Sequence, residues 1–116
     1  MDKHVVYTVG QEGYSDLWIF SRLDAVFGGR PPHTEIIFIG TEGTNEPFLA
    51  WAHANSISHR VHITRSDKFG YSALIKSVKK LFHDEIIKSL VVLSIDAQSM
   101  DITHVARNKQ VRVLSL

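Results

Sequence analysis

The sequence predicts an α/β protein with a Rossmann-like three-layer fold, built on a five-stranded, mostly parallel sheet. Short apolar runs rich in β-branched residues alternate with segments of helical period. Two of those runs, 35–39 and 90–93, lack polar alternation, as strands covered on both faces do. The repeated order of strand, helix and strand implies βαβ units, hence parallel pairing with helices on both faces.

The elements follow in order. Val5-Val6-Tyr7-Thr8-Val9 is β-branched and aromatic and stops at Gly10, as a first strand would. Ser15 is placed to cap a helix, with Asp16 in its first turn and Leu17, Phe20, Leu23 and Phe27 at roughly helical spacing. Gly28-Gly29 is expected to end that helix, and Pro31-Pro32 forbids its continuation. Glu35-Ile36-Ile37-Phe38-Ile39 is the central strand, ending in Gly40. Asn45 is expected to cap a second helix, with Pro47 in its first turn and Phe48, Trp51, Ala52 and Asn55 along one face. Arg60-Val61-His62-Ile63 is a third strand. Leu74, Ile75, Val78, Leu81 and Phe82 define an amphipathic helix with Lys76, Lys79 and Lys80 outside; it either continues or restarts through Ile86-Ile87. Leu90-Val91-Val92-Leu93 is the fourth strand, Ser99 is expected to cap a last helix through Val105 and Ala106, and Val111-Arg112-Val113-Leu114 is the fifth strand.

Composition narrows the function classes. The 116 residues suit one domain, 1–116, able to bury a core without staples. Hydrophobic residues at 44% and charged residues at 22% are globular values. A net charge of +1 is too small for a general polyanion binder, so a nucleic-acid partner is not expected. The absence of cysteine excludes disulfides, thiolate metal sites and a Cys nucleophile. Met1-Asp2-Lys3-His4 lacks the features of a signal peptide, and no apolar stretch approaches the ~20 residues of a membrane helix. The expectation is a cytoplasmic protein with no membrane partner.

In parallel α/β sheets, ligands bind beyond the carboxyl ends of the strands. That selects the loops 10–14, 40–45, 64–71 and 94–99. The loop Gly40-Thr41-Glu42-Gly43-Thr44-Asn45 joins a buried strand to a helix start. Its glycines permit close backbone approach, and the helix start offers unpaired N–H groups to an anion such as phosphate. Hydrogen bonds to charged groups contribute ~1.5–3 kcal/mol each. Two or three of them supply much of the ~8 kcal/mol that a micromolar dissociation constant represents. Thr41 and Thr44 add hydroxyls. Glu42 opposes a bare phosphate unless a cation intervenes.

These motifs resemble the SLOG superfamily, the Rossmann-like group containing the LOG phosphoribohydrolases and YspA-type proteins. The YspA-like branch is the most similar. Its first strand, Gly-containing loop, aromatic-Asp step and Leu-Asp-Ala helix match Val9-Gly10, Tyr14-Ser15-Asp16 and Leu23-Asp24-Ala25. Its second strand, Gly-rich loop and Trp-Ala helix match 36–39, Gly40–Asn45 and Trp51-Ala52. Lys68-Phe69-Gly70 with Ala73 and the closing segment from Ala106 resemble its later motifs. Several positions depart. A family Gly is Ile39, the YspA-type Arg falls at Glu42, and its Asp falls at Asn45. The Gly-Pro-x-Arg-Asn stretch becomes Leu74-Ile75-Lys76-Ser77-Val78, and the Gly-Thr of the fourth loop becomes Gln98-Ser99. The LOG loop Pro-Gly-Gly-x-Gly-Thr-x-Glu is matched by Gly40, Gly43, Thr44 and Glu46, but its catalytic Arg has no counterpart. Lys76, Lys79 and Lys80 are the nearest cations, and Lys does not replace the Arg fork.

The resemblance implies a nucleotide or nucleotide-derived ligand held without robust catalysis, by a sensor or a sequestering sponge. The lost Arg and the replaced Asp argue against turnover, and a compact chain favours the sponge. No cofactor and no metal are expected. The ligand residues would be Gly10, Gln11, Tyr14, Gly40, Thr41, Glu42, Gly43, Thr44, Asn45, Asp67, Lys68, Tyr71, Ser94, Asp96 and Ser99. Tyr14 and Tyr71 are suited to stack on a base or to pack at the core edge. Asp67 and Asp96 suit ribose hydroxyls or turns. Two alternatives stand beside this reading. One is a LOG-like nucleoside monophosphate phosphoribohydrolase with Glu46 as the catalytic carboxylate, although Glu46 is equally an ordinary first-turn residue. The other is a protein- or single-stranded nucleic-acid-binding module. His59 and His62 fall on opposite strand faces, which disfavours a metal pair. Trp18 and Trp51 are expected in the core or an interface, and a homodimer or higher homo-oligomer is expected.

Overall fold

Five strands lie side by side in the order β3-β2-β1-β4-β5, every pair parallel. The computed structural model describes residues 2–8, 14–28, 33–40, 45–64, 69–93 and 97–115. The strands are β1 (Asp2–Tyr7), β2 (Thr34–Gly40), β3 (Ser58–Ile63), β4 (Ser89–Val92) and β5 (Arg112–Ser115). The helices are α1 (Asp16–Phe27), α2 (Glu46–Ala54), α3 (Tyr71–Asp84) and α4 (Ala97–Asn108). The sheet is therefore wholly parallel among the described residues and covered on both faces, as a Rossmann-like α/β fold requires.

Period-two alternation sorts the core into two layers. Val5, Tyr7, Ile37, Ile39, Leu90 and Val92 point toward α3 and α4, against Leu74, Val78, Ile102 and Ala106. Val6, Ile36, Phe38, Val91 and Leu93 point the other way, against Ile19, Leu23, Phe48 and Trp51 of α1 and α2. Burying one such side chain contributes about 1.5–3 kcal/mol. In α3, Leu74, Val78, Leu81 and Phe82 are buried while Lys76, Lys79 and Lys80 stay exposed, as its periodicity predicts. The helix does not continue through Ile86-Ile87: Glu85 is extended (φ −131°, ψ 148°), Ile86 is 92% exposed and Ile87 is buried.

Gly28 ends α1 as expected, in right-handed backbone (φ −62°, ψ −22°). Glycine is needed there because an added Cβ would stand 2.4 Å from the Asp24 carbonyl oxygen. Three other local expectations are corrected. Asn45 precedes α2 but makes no side-chain capping bond. Ser99 does not precede α4, which starts at Ala97 and places Ser99 inside its first turn. β1 begins at Asp2, earlier than its apolar run. Ser15 does cap α1, its side chain accepting from the Trp18 N–H at 3.2 Å.

The helix-to-strand returns carry their own signature. Ser56 (φ 55°) follows α2, and Gln110 (φ 60°) follows α4. Each sits in a Schellman turn. After α2, Ile57 N–H donates to the Ala52 carbonyl at 3.0 Å and Ser56 N–H to that of His53 at 3.1 Å. After α4, Val111 and Gln110 N–H donate to the carbonyls of Ala106 and Arg107, both at 2.9 Å.

Candidate functional site

The strand order reverses direction between β1 and β4. From β1 the chain steps outward to β2 and β3, then returns to the other side of β1 to place β4 and β5. The helices after β1 and after β4 pack on opposite faces of the sheet, so the chain switches direction at the carboxyl ends of these two strands. Ligands of open α/β sheets bind at such a switch point.

Among the described residues, the buried polar side chains favour that edge. Thr8 follows β1, Asn45 precedes α2, Thr64 follows β3 and Ser99 lies in the first turn of α4; all are at most 5% exposed. The other two, Thr34 and Ser89, lie at strand starts. Thr8 Oγ1 lies 2.9 Å from both the Ile39 carbonyl oxygen and Asn45 Oδ1, so its single proton is shared between the end of β2 and the start of α2. Thr8 N–H donates to the Ile39 carbonyl at 2.8 Å, and Thr64 N–H to that of Gly40 at 3.0 Å, extending the ladder past the strand ends. No buried side-chain N or O among the described residues is left without a hydrogen bond.

Two aromatic residues border the edge. Tyr14 lies stacked on Trp18, with ring centroids 4.2 Å apart and planes 16° from parallel. The Arg22 guanidinium lies over Trp18 at 5.1 Å from the ring centroid. Tyr71, at the start of α3, donates its hydroxyl proton to the Asp101 carboxylate, bracing α3 against α4. Gly70 before it has φ 83° and ψ −175°, a backbone region open to glycine alone.

Of the residues expected to touch a ligand, Gly40, Asn45, Tyr71 and Ser99 are placed along or beside this edge, with Tyr14 at the start of α1. Gly40 and Ser99 are buried, as is Asn45, while Tyr14 and Tyr71 are partly open at 41% and 40%. Gly10, Gln11, Thr41, Glu42, Gly43, Thr44, Asp67, Lys68, Ser94 and Asp96 lie outside the described residues. Glu46 is exposed at the first position of α2 and makes no ion pair among the described residues.

Sequence reasoning missed Arg107 and His104. With Ser99, Thr103 and Ser115 they line a cavity of about 200 Å³ between α4 and the end of β5. Their i, i+3 and i+4 spacing on α4 was the available signal. A cavity of about 660 Å³ opens at the opposite edge, between Asp2, Lys3, Glu85 and Lys88. Four of its charges pair with one another, Lys3 with Glu85 at 2.8 Å and Lys88 with Asp2 at 3.2 Å, while Asp84 on the same lining makes no ion pair among the described residues. Arg60 joins Glu85 to Glu35, the latter at 3.0 Å. Its hydrogen bond, then that of Lys3, holds the Glu85 carboxyl at about 2. This largely paired ion cluster lies at the amino ends of the strands, distant from the switch point.

His59 and His62 make packing and hydrogen-bonding contacts within the fold. His59 packs edge-on against Phe38, in the α1/α2 layer, at a centroid distance of 6.2 Å. His62 Nε2 lies 2.6 Å from Ser77 Oγ on α3, on the opposite face, and burial lowers its pKa. No group of three potential metal ligands occurs among the described residues. No helix among them is long and apolar enough to cross a membrane.

No family model and no curated protein matches the chain. Among solved structures, it is similar to a predicted subunit of a tRNA methyltransferase from Methanocaldococcus jannaschii, with 14% identity and a TM-score of 0.49 over 99% of this chain and 67% of that one.

Proposed function

We propose that this chain binds a nucleotide, or a molecule derived from one, at the carboxyl edge of its sheet and holds it without robust turnover, as a divergent member of the SLOG superfamily. The observation that carries the reading is the gathering of Thr8, Asn45, Thr64 and Ser99 along that edge, beside a topological switch point. Burying polar groups is costly unless they are bonded. A polar floor concentrated at one edge supports a recognition role there. The starts of α1 and α2 border the same edge, and helix starts favour anions. The opposite edge is already occupied by its own ion pairs.

Binding without turnover follows from what the site lacks. The LOG catalytic Arg has no counterpart in the matching motif, and Glu46 is solvated, with no described partner to hold it against a substrate. That same free carboxylate at the first turn of α2 is the one observation favouring the second reading, a nucleoside monophosphate phosphoribohydrolase. The role of the bound state is sensing or sequestration, and copies of the chain are expected to pair.

The test is mass spectrometry of small molecules released by heating the purified protein, with chromatography of nucleoside monophosphates incubated with it. A released nucleotide, or binding without free base, supports the proposal. Free base that disappears in Glu46→Gln supports the hydrolase instead. No retained nucleotide and no binding across the panel overturns both.

A further inference from the structure

We propose that the outward face of Tyr14 is a stacking platform for the base of the bound nucleotide, held in orientation by Trp18 and Arg22. The inference rests on the nucleotide reading above and deepens it. Trp18 and Arg22 are four residues apart on α1, so their side chains share one face of the helix, and Tyr14, just before the Ser15 cap, folds back onto Trp18. The Tyr14 and Trp18 rings are near-parallel at 4.2 Å, and Arg22 covers Trp18 at 5.1 Å, inside cation–π range. The result is a three-layer stack with a cation at one end and, at the other, a Tyr14 ring that meets no second aromatic ring or cation among the described residues.

An apolar residue just before a helix cap ordinarily staples the chain by packing onto the first turns. Tyr14 makes that contact and yet remains 41% exposed, because Trp18 takes only one side of its ring. Leu17, in the first turn of α1, is 81% exposed, so that turn presents an apolar side chain to solvent as well. Ser15 anchors the base of the stack by capping the Trp18 N–H at 3.2 Å. The ring is therefore pre-oriented before any ligand arrives, which reduces the entropy lost on binding.

The stack stands at the start of α1, the helix that follows β1 at the switch point. A phosphate drawn to the carboxyl edge leaves the base of the same molecule within reach of this ring. Stacking on an aromatic face accepts any base, so the platform discriminates nucleotides from sugar phosphates rather than one base from another.

The experiment compares the four ribonucleoside 5′-monophosphates with ribose 5-phosphate by calorimetry, in the wild type, Tyr14→Phe and Tyr14→Ala. In the wild type at least one nucleotide is expected to bind about tenfold tighter than ribose 5-phosphate or better. Tyr14→Phe is expected to keep that preference. Tyr14→Ala is expected to abolish it while leaving ribose 5-phosphate affinity unchanged, a split that a purely structural staple does not produce. Equal affinity for nucleotide and sugar phosphate, or a preference that survives Tyr14→Ala, overturns the platform and leaves the nucleotide reading standing. Loss of self-association in Tyr14→Ala with the preference intact assigns the face to a second copy and overturns the platform too. No binding of any of the five compounds overturns both.

Discussion

Thr8 and Asn45, 37 positions apart, meet at 2.9 Å where β1 ends and α2 begins. Both are buried, and the hydroxyl also reaches the Ile39 carbonyl oxygen. The pair clamps the beginning of α2 to the central strands, at the edge where the ligand is proposed to sit. Thr8→Val and Asn45→Ala are each expected to destabilise the fold by about 1–3 kcal/mol, since each removes a buried partner. The double variant is expected to lose less than the sum, because the two share one bond. Urea unfolding of all three measures this; strict additivity would refute the clamp.

Gly70 permits the turn into α3. At φ 83° and ψ −175° any other residue is strained, while a Cβ there would meet nothing within 4 Å. Gly70→Ala is therefore expected to cost about 1–3 kcal/mol through backbone strain alone. A thermal melt unchanged from the wild type would contradict the assigned conformation.

Ser56 and Gln110 hold left-handed turns that glycine adopts freely. The conformation costs roughly 1–2 kcal/mol for a residue with a Cβ, and glycine's extra freedom when unfolded returns about 0.4–1 kcal/mol of that. Ser56→Gly and Gln110→Gly are each expected to stabilise by about 0.5–1 kcal/mol, and to add, since they precede opposite edge strands. A rise in the urea midpoint for each, and a larger one for the pair, checks this.

Acid weakens the fold in two steps. Burial lowers the pKa values of His4 and His62 below the ordinary 6.5, so stability falls as the pH drops below that value. Glu85 is held at about 2 against an ordinary 4.5. Its contribution is present above pH 4.5 and is lost as the pH falls toward 2. In Glu85→Gln the second step is expected to disappear, so the stability gap to the wild type closes with acidification. A gap that stays constant from pH 7 to pH 3 would show that the Lys3–Glu85–Arg60 cluster is energetically idle.

Much of this architecture is legible in the chain because burial on both faces leaves an unmistakable trace. The run 35–39 has no solvent side and so no alternation, and β2 is covered throughout its apolar residues. Boundaries blur where polar residues enter a strand for reasons a linear pattern does not carry. Lys3 belongs to β1, its charge met by Glu85 from 82 positions away. Ser99 resembles a cap, yet α4 starts two residues earlier at Ala97. The Leu-Asp-Ala and Trp-Ala motifs turn out to be one contact, with Trp51 Nε1 donating to Asp24 Oδ1 at 2.8 Å to join α1 to α2. The sequence directs attention to the loop after β2. The switch point between β1 and β4 depends on strand order, which periodicity does not encode.

Amide chemical-shift mapping with adenosine 5′-monophosphate locates the bound nucleotide. Shifts are expected to concentrate at Thr8, Tyr14, Asn45 and Gly70, along the carboxyl edge and the start of α1. Shifts centred on Lys3, Glu85 and Lys88 at the opposite edge, or none at millimolar nucleotide, would contradict binding at the carboxyl edge.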